Sequence, residues 1–435
     1  MSAFPALPEP TSLPPWELLD AQALALLERN AERILASVGV LYRADAEALA
    51  LWRAAGARVE GERVYIPEGL ARELVSRHAP RCFVQHARNP ARSVEFGGGS
   101  RICAPVYDPP WVHSRAGGRR YATLADLQNF IRLTHDSPVL AHLGGPICEP
   151  HDRPAESRYL DVLLAQLTLS DKPFMGAVIY GRPAADTIAL GRVAFGTAFF
   201  ERHCCTINMV NPVPPLTWTP GPLAALKTYA RHGQGLLVAS YPLLGLTAPV
   251  TLAGAAAQML AEGLSGMALA QLVRPGTPVI FGALGAPFDL RRNMQPRFGT
   301  VETQRLMPVM AALARRLGVP FRTDGAITSA KTVDAQAGWE SGVSLNTAWH
   351  SGADLILHAA GWLEDGRMAG YEKFMLDEHQ LAWLAGQEAW MPLGLEAAEG
   401  QWRRRLAEYQ APPLDPALVE ALARTAEELR AAWHG

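Results

Sequence analysis

From about residue 100 onward the chain alternates short apolar runs with longer amphipathic stretches. The runs fall at 102–106, 139–144, 173–179, 205–210, 235–240, 278–282, 319–323 and 355–359. Helical spacing is read near 123–135, 155–170, 184–200, 221–232, 251–272, 301–317, 333–350 and 376–390. Regular alternation of this kind predicts parallel strands joined by crossover helices. Eight such units in roughly 290 residues fit an α/β fold of the closed (β/α)8 barrel type better than an open doubly wound sheet. An open sheet that holds a nucleotide wants a glycine-rich turn between strand and helix. Here Gly144-Gly145-Pro146 puts proline where backbone amides would face phosphate, and no Walker sequence occurs.

The flanks read differently. In 18–39, Leu19, Ala23, Leu27, Ile34 and Val38 share one helical face. Asp45 is placed to cap a second helix at 46–55. Residues 57–66 alternate across Gly61 as a small hairpin, and 67–77 is a third helix. This predicts a separate N-terminal subdomain or a barrel plug. Residues 400–435 read as one or two polar amphipathic helices that cap the barrel or pack on a subunit partner. The expected division is 1–95, 96–395 and 396–435.

Composition narrows the function. Forty basic against forty-two acidic side chains give a net charge of −2, which argues against a nucleic-acid or polybasic membrane surface. The proline-rich segment 1–10 lacks the basic and apolar regions of a signal peptide and reads as an extended arm. The most apolar stretch, 253–272, is broken by Gln258, Glu262 and glycines, so it reads as a buried helix and not a membrane span. Five irregularly spaced cysteines make no disulfide framework, and a reducing cytoplasm is expected.

A barrel places its working residues at the C-terminal ends of its strands. That rule selects Tyr107, Trp111 and His113 after strand one, Tyr180 after strand three and Asn208 with Asn211 at strand four. It also selects Tyr241 after strand five, Asp324 after strand seven, and His358 and Trp362 after strand eight. Tyr371-Glu372-Lys373 is assigned to the loop that follows. The set is rich in aromatics and poor in lysine. Ring faces attract quaternary ammonium, so such a cup suits a cation without N–H donors. The same rings would equally serve to pack barrel loops on one another. His358 emerges from an apolar strand as a catalytic candidate or a hydrogen-bonded core histidine. Glu372 is the carboxylate assigned to a cationic substrate, the alternative being a surface ion pair. Asp334 can cap the helix after strand seven, and Gln336 and Glu340 share one of its faces, which points to loop-fixing or cofactor contacts. His203-Cys204-Cys205 does not make a metal set, because neighbours on a strand point to opposite faces. Gly-x-Ser-x-Gly is absent.

Several segments jointly resemble the trimethylamine methyltransferase family. They are Ala248-Pro-Val-Thr-Leu-Ala-Gly254, Ala270-Gln-Leu-Val-Arg-Pro-Gly-Thr-Pro-Val279, Ser329-Ala-Lys-Thr-Val-Asp-Ala-Gln336, Gly352-Ala-Asp-Leu-Ile-Leu-His-Ala-Ala-Gly-Trp362 and Tyr371-Glu-Lys-Phe-Met-Leu-Asp377. They span nearly the whole chain in order, with ordinary residues throughout, as in the branch that lacks pyrrolysine. The resemblance implies a barrel enzyme that demethylates a small quaternary amine of the glycine betaine, proline betaine or carnitine type. The methyl would pass to the Co(I) corrinoid of a partner protein, with no metal bound by this chain itself and a homo-oligomeric assembly. On that reading Tyr107, Trp111, Tyr241, Trp362, Tyr371 and Asn208 bind substrate, His358 and Glu372 serve catalysis, and Gln336, Asp334 and Asp324 meet the corrinoid. A same-family enzyme for a tertiary amine or sulfonium, and a non-catalytic betaine- or corrinoid-binding protein, are the alternatives.

Overall fold

The structure, a computed structural model, describes residues 14–178, 181–290, 295–386 and 393–433. The expected extended arm at 1–10 and the rim aromatic Tyr180 lie outside the described residues.

Helices α1 (Ala21–Ser37), α2 (Ala46–Ala54) and α3 (Leu70–His78) lead the chain. Asp20 and Asp45 accept hydrogen bonds from Ala23 N–H at 2.8 Å and Ala48 N–H at 2.9 Å, satisfying free donors at two helix starts. The hairpin Arg58–Glu60 and Arg63–Tyr65 turns at Gly61, whose φ of 59° favours glycine. Its sheet extends through Val40–Tyr42 to Thr217–Trp218, which comes from the barrel.

The barrel helices follow. They are α4 (Leu124–Asp136), α5 (Arg158–Leu169), α6 (Gly181–Phe195), the short α7 (Thr197–Phe200), α8 (Pro220–Arg231), α9 (Leu252–Val273), α10 (Val301–Leu317), α11 (Ala335–Ser351) and α12 (Tyr371–Leu384). Helices α13 (Leu395–Glu408) and α14 (Pro416–Ala431) end the described chain.

Six strands form one parallel ladder: Ile102–Cys103, Leu355–Leu357, Phe321–Asp324, Val279–Ala283, Gly235–Ser240 and Ile207–Val210. Two less regular segments, 140–144 and 173–177, close the ring. His142 N–H donates to Cys103 O, Leu143 N–H to Pro173 O and Met175 N–H to Gly144 O. Gly176 N–H then donates to Ile207 O, where Met175 bridges Ile207 in parallel. Eight parallel segments therefore make a closed (β/α)8 barrel, and the apolar runs had marked all eight.

Alternate side chains fill the lumen. Ile102, Ala104, Met175, Ile207, Leu237, Ile280, Leu355 and Leu357 pack there as one cluster, with Phe96 beneath them. Phe96 belongs to the hairpin Phe83–Gln85 and Val94–Phe96. Gln85 donates to Phe174 O at 2.8 Å, at the start of a barrel segment, so this hairpin plugs the N-terminal end. Of the two readings of the N-terminal region, a separate subdomain or a barrel plug, the plug does not hold for residues 18–77. That region packs on the side of the barrel, with Tyr42 donating to Ser265 O of α9 at 3.1 Å and Lys227 of α8 pairing with Asp45 at 2.7 Å.

Helix α9 is buried all round between this layer and the strands, which accounts for its lack of a polar face. A Cβ on Gly263 would meet Phe281 at 2.3 Å and one on Gly266 would meet Trp218 at 2.4 Å, so glycine permits the close approach on both sides. The C-terminal helices lie on the barrel flank. Arg405 of α13 donates to Leu133 O of α4, and Arg430 of α14 pairs with Asp161 of α5 at 2.9 Å.

The loop expected at Tyr371-Glu372-Lys373 is instead the first turn of α12. No breaker separates Gly370 from the helical pattern, so the helix starts there. Lys373 and Asp377, four apart, pair at 2.6 Å in full burial, and Asp377 also accepts Gly361 N–H from the loop after strand eight at 2.8 Å. Lys373→Met leaves that carboxylate buried without its cation. Its expected effect is a loss of about 3–5 kcal/mol in denaturant unfolding. A loss below about 1 kcal/mol, the scale of an exposed pair, would show that the pair does not anchor this loop.

Candidate functional site

Strand seven reads Phe321-Arg322-Thr323-Asp324. Strand residues two apart share a face. In the ladder Arg322 lies beside Gly282 and Leu355, and Asp324 beside Leu357, so both charges point into the lumen. The side chains are 4% and 0% exposed, and they pair directly. His358 Nε2 lies 3.3 Å from the same Asp324 oxygen. Its Nδ1 accepts the Tyr107 N–H at 3.1 Å, which leaves the proton on Nε2 facing Asp324. His358 holds a left-handed φ of 55°, which costs energy in a non-glycine residue and turns the ring back over the lumen.

Burial raises the Asp324 carboxyl to about 6, with Arg322 holding it from going higher. His358 is held well below its ordinary value, first by burial and then by the Arg322 charge, so the ring is neutral. Arg322 Nε and Asp324 Oδ2 have no hydrogen-bond partner among the described residues. Such buried orphans call for an explanation, and an unpaired donor beside an unpaired acceptor forms a dipolar socket.

Three rings stand over that socket. The Trp362 ring meets His358 edge to face at 4.5 Å and Phe298 at 5.3 Å, and Phe298 stacks on Tyr241 at 5.8 Å. Trp362 Nε1 donates to Thr328 O at 2.9 Å, which fixes the indole. Burial, with the Asp324 charge next, raises the Tyr241 phenol and keeps it neutral. The strand-seven loop is tied down by Glu340, which accepts from Thr328 Oγ1 at 2.6 Å and from Ser329 N–H at 2.7 Å.

The structure thus brings Tyr107, Tyr241, Asp324, His358 and Trp362 together and adds two residues that sequence reading missed. Arg322 was legible as a second charge two positions before Asp324 on one strand face. Phe298 had no such signal.

Other candidates stand elsewhere. Trp111 lies in the strand Trp111–Ser114 of a small sheet over the rim, and the Arg119 guanidinium covers its ring at 3.9 Å, so it is not an open wall. Asn208 is fully buried, donating to Gly235 O at 2.8 Å and accepting Gly176 N–H at 3.2 Å. It knits three barrel segments together. Tyr371 donates to Asp126 at 2.8 Å and stacks on Phe130 at 4.4 Å, while Glu372 accepts from Trp402 Nε1 at 3.1 Å. Both therefore face the outer helices α4 and α13, and the placement at the mouth is corrected. Asp334 caps α11 by accepting Ala337 N–H at 2.9 Å, and Gln336 donates to Glu340 at 2.9 Å. Both are exposed. Among the described residues no three His, Cys, Asp or Glu side chains converge as a metal set.

A family model described as trimethylamine methyltransferase matches residues 4–393. The chain is 36% identical over 370 residues to a glycine betaine methyltransferase of Desulfitobacterium hafniense, covering 84% of this chain and 76% of that protein. It is 30% identical over 365 residues to a proline betaine:corrinoid methyltransferase of Eubacterium limosum, covering 81% and 74%. An L-carnitine:corrinoid methyltransferase of the same organism is 29% identical over 371 residues, covering 82% and 74%. In fold the chain matches the monomethylamine methyltransferase of Methanosarcina barkeri with a TM-score of 0.55 at 11% identity, over 94% of each chain.

Tyr107 is held in place by a glycine. A Cβ on Gly145 would lie 2.0 Å from the Tyr107 ring. Gly145→Ala is therefore expected to lower stability by about 1–3 kcal/mol, with Tyr107→Leu in the same chain restoring most of it. Thermal unfolding of the single and double variants checks this, and additive losses would contradict the contact.

Proposed function

The chain belongs to the trimethylamine methyltransferase family, and from that premise we propose that it takes a methyl group from a small quaternary amine of the betaine class. The acceptor is the reduced corrinoid of a partner protein. The observation that carries this reading is the buried Arg322–Asp324 socket beneath the Tyr241, Phe298 and Trp362 rings. A betaine is itself a dipole. Arg322 Nε offers a donor to its carboxylate, and charge-assisted bonds to guanidinium are among the strong ones. Asp324 and the ring faces offer negative field to an ammonium that has no N–H to donate.

A quaternary amine departs as a neutral tertiary amine, so no protein acid is obligatory. The reduced corrinoid, when docked, supplies the nucleophile. The chain's own part is to align the methyl group, exclude water and desolvate the cation. His358 suits positioning, because both ring nitrogens are engaged by Tyr107 N–H and Asp324. The exposed Asp334 and Gln336 at the start of α11 are assigned to the corrinoid partner's footprint. All five cysteines are free, as in a reducing compartment, and a cytoplasmic placement is proposed on that ground. No described helix is long and apolar enough to cross a membrane.

Demethylation of betaines with a reduced corrinoid protein tests the activity. No turnover across a betaine panel, with competent relatives as controls, would overturn the reading. Arg322→Gln is expected to raise KM for glycine betaine about 10–100-fold, the worth of a hydrogen bond to a charged group. Binding of tetramethylammonium, which lacks a carboxylate, should stay within about threefold. Equal losses for both ligands would contradict the role given to Arg322. Because the Asp324 carboxyl stands at about 6, it carries its charge above that pH. In a pH series, kcat/KM should fall as pH drops through about 6, and Asp324→Asn should remove that step. A wild-type profile flat between about pH 5 and pH 8 would contradict it.

A further inference from the structure

A chamber of about 220 Å³ lies on the other side of Tyr107 from the socket. Its floor is residues 175–178 of the third barrel segment, and its walls include Tyr107, Asp108, Tyr159 and Trp433. Tyr107 is the partition, since its N–H holds His358 of the first site while its ring lines this chamber. Trp433 follows α14 and donates to Tyr159 Oη at 2.9 Å, closing the outer side.

Three carboxylates line this chamber, and they differ: Glu156 is exposed to water, whereas Asp108 and Glu149 sit deeper. Glu149 is balanced by Arg158 at 2.9 Å and His151 at 3.3 Å. Among the described residues the Asp108 carboxylate has no hydrogen-bond donor and no cation at ion-pair distance. Asp108 also holds a left-handed φ of 62° immediately before Pro109, a position that prolines push toward extended backbone. Burial, then repulsion from Glu149, lifts its carboxyl to about 7, with Arg158 opposing. An unpaired acceptor set inward of the exposed Glu156, among the Tyr107, Tyr159 and Trp433 rings, matches a single organic cation. A carboxylate adds a hydrogen bond only if that cation has a proton to give.

We propose that this chamber is a second organic-ammonium site that prefers an amine bearing an N–H. Its natural occupant would be the tertiary amine that departs neutral when a quaternary amine loses one methyl and then takes a proton from water. The product's identity rests on the methyl-transfer reading, whereas the site and its preference do not. The two cups then divide the work by hydrogen-bonding capacity: the lumen socket takes the cation that cannot donate, and the chamber takes the one that can.

Calorimetric titration of the full chain at pH 8 with trimethylammonium and with tetramethylammonium tests this. Asp108→Asn is expected to weaken trimethylammonium at least about tenfold, within the range of a charge-assisted hydrogen bond, and tetramethylammonium by less than about threefold. Trp433→Ala, near the chain end and remote from the socket, should weaken trimethylammonium too while leaving KM for betaine unchanged. No trimethylammonium binding by the wild type, or equal losses for both cations in Asp108→Asn, would overturn the proposal. Failure of betaine demethylation with the Asp108 preference intact would overturn the proposed reaction and leave the chamber standing.

Discussion

A guanidinium and a carboxylate two residues apart on a barrel strand, with that face turned inward, have nowhere to go but the lumen. Withdrawing them from water costs several kcal/mol per ion, and mutual attraction offsets this only when the remaining polar atoms also find partners. Here Arg322 Nε and Asp324 Oδ2 do not find them within the described protein. The rest of the architecture makes such a pair tolerable. Phe96 seals the lower end, an apolar lumen lies between, and three rings cover the upper end. A barrel that needed only stability would fill this position with leucine, as it does at Leu355 and Leu357 on the neighbouring strand.

The loops over the pair are held by contacts that are themselves buried and polar. Glu340 fixes the turn after strand seven, Lys373 with Asp377 fixes the turn after strand eight, and Trp362 is tied to Thr328 O. Glu340 and Asp377 each join the loop after a strand to the following helix, and Trp362 ties the two loops to each other, so the rings above the pair are held by rigid elements.

Barrel strands buried on both faces show up as apolar runs, so the eight units were legible even where 140–144 and 173–177 make few ladder bonds. The rim rule likewise located Tyr107, Tyr241, Asp324, His358 and Trp362. It failed for Trp111, Tyr371 and Glu372, because strand order says which end of the barrel a segment reaches and not which neighbour its side chain meets. Trp111 met Arg119, and Tyr371 and Glu372 met α4 and α13, which come from distant parts of the chain. Asn208 was read as an end-of-strand ligand, yet its alternation puts it toward the helices. Arg322 was overlooked because a charge inside an apolar run looks like an exception until its register is known.

The central claim is that the paired charges in the lumen and the rings above them hold one dipolar cation. A crystal structure of the chain soaked with glycine betaine tests it most directly. The trimethylammonium group is expected within about 6 Å of the Tyr241 and Trp362 ring centres and the carboxylate on Arg322 Nε. Density for the ligand elsewhere, with Arg322 Nε still unpaired, would contradict it.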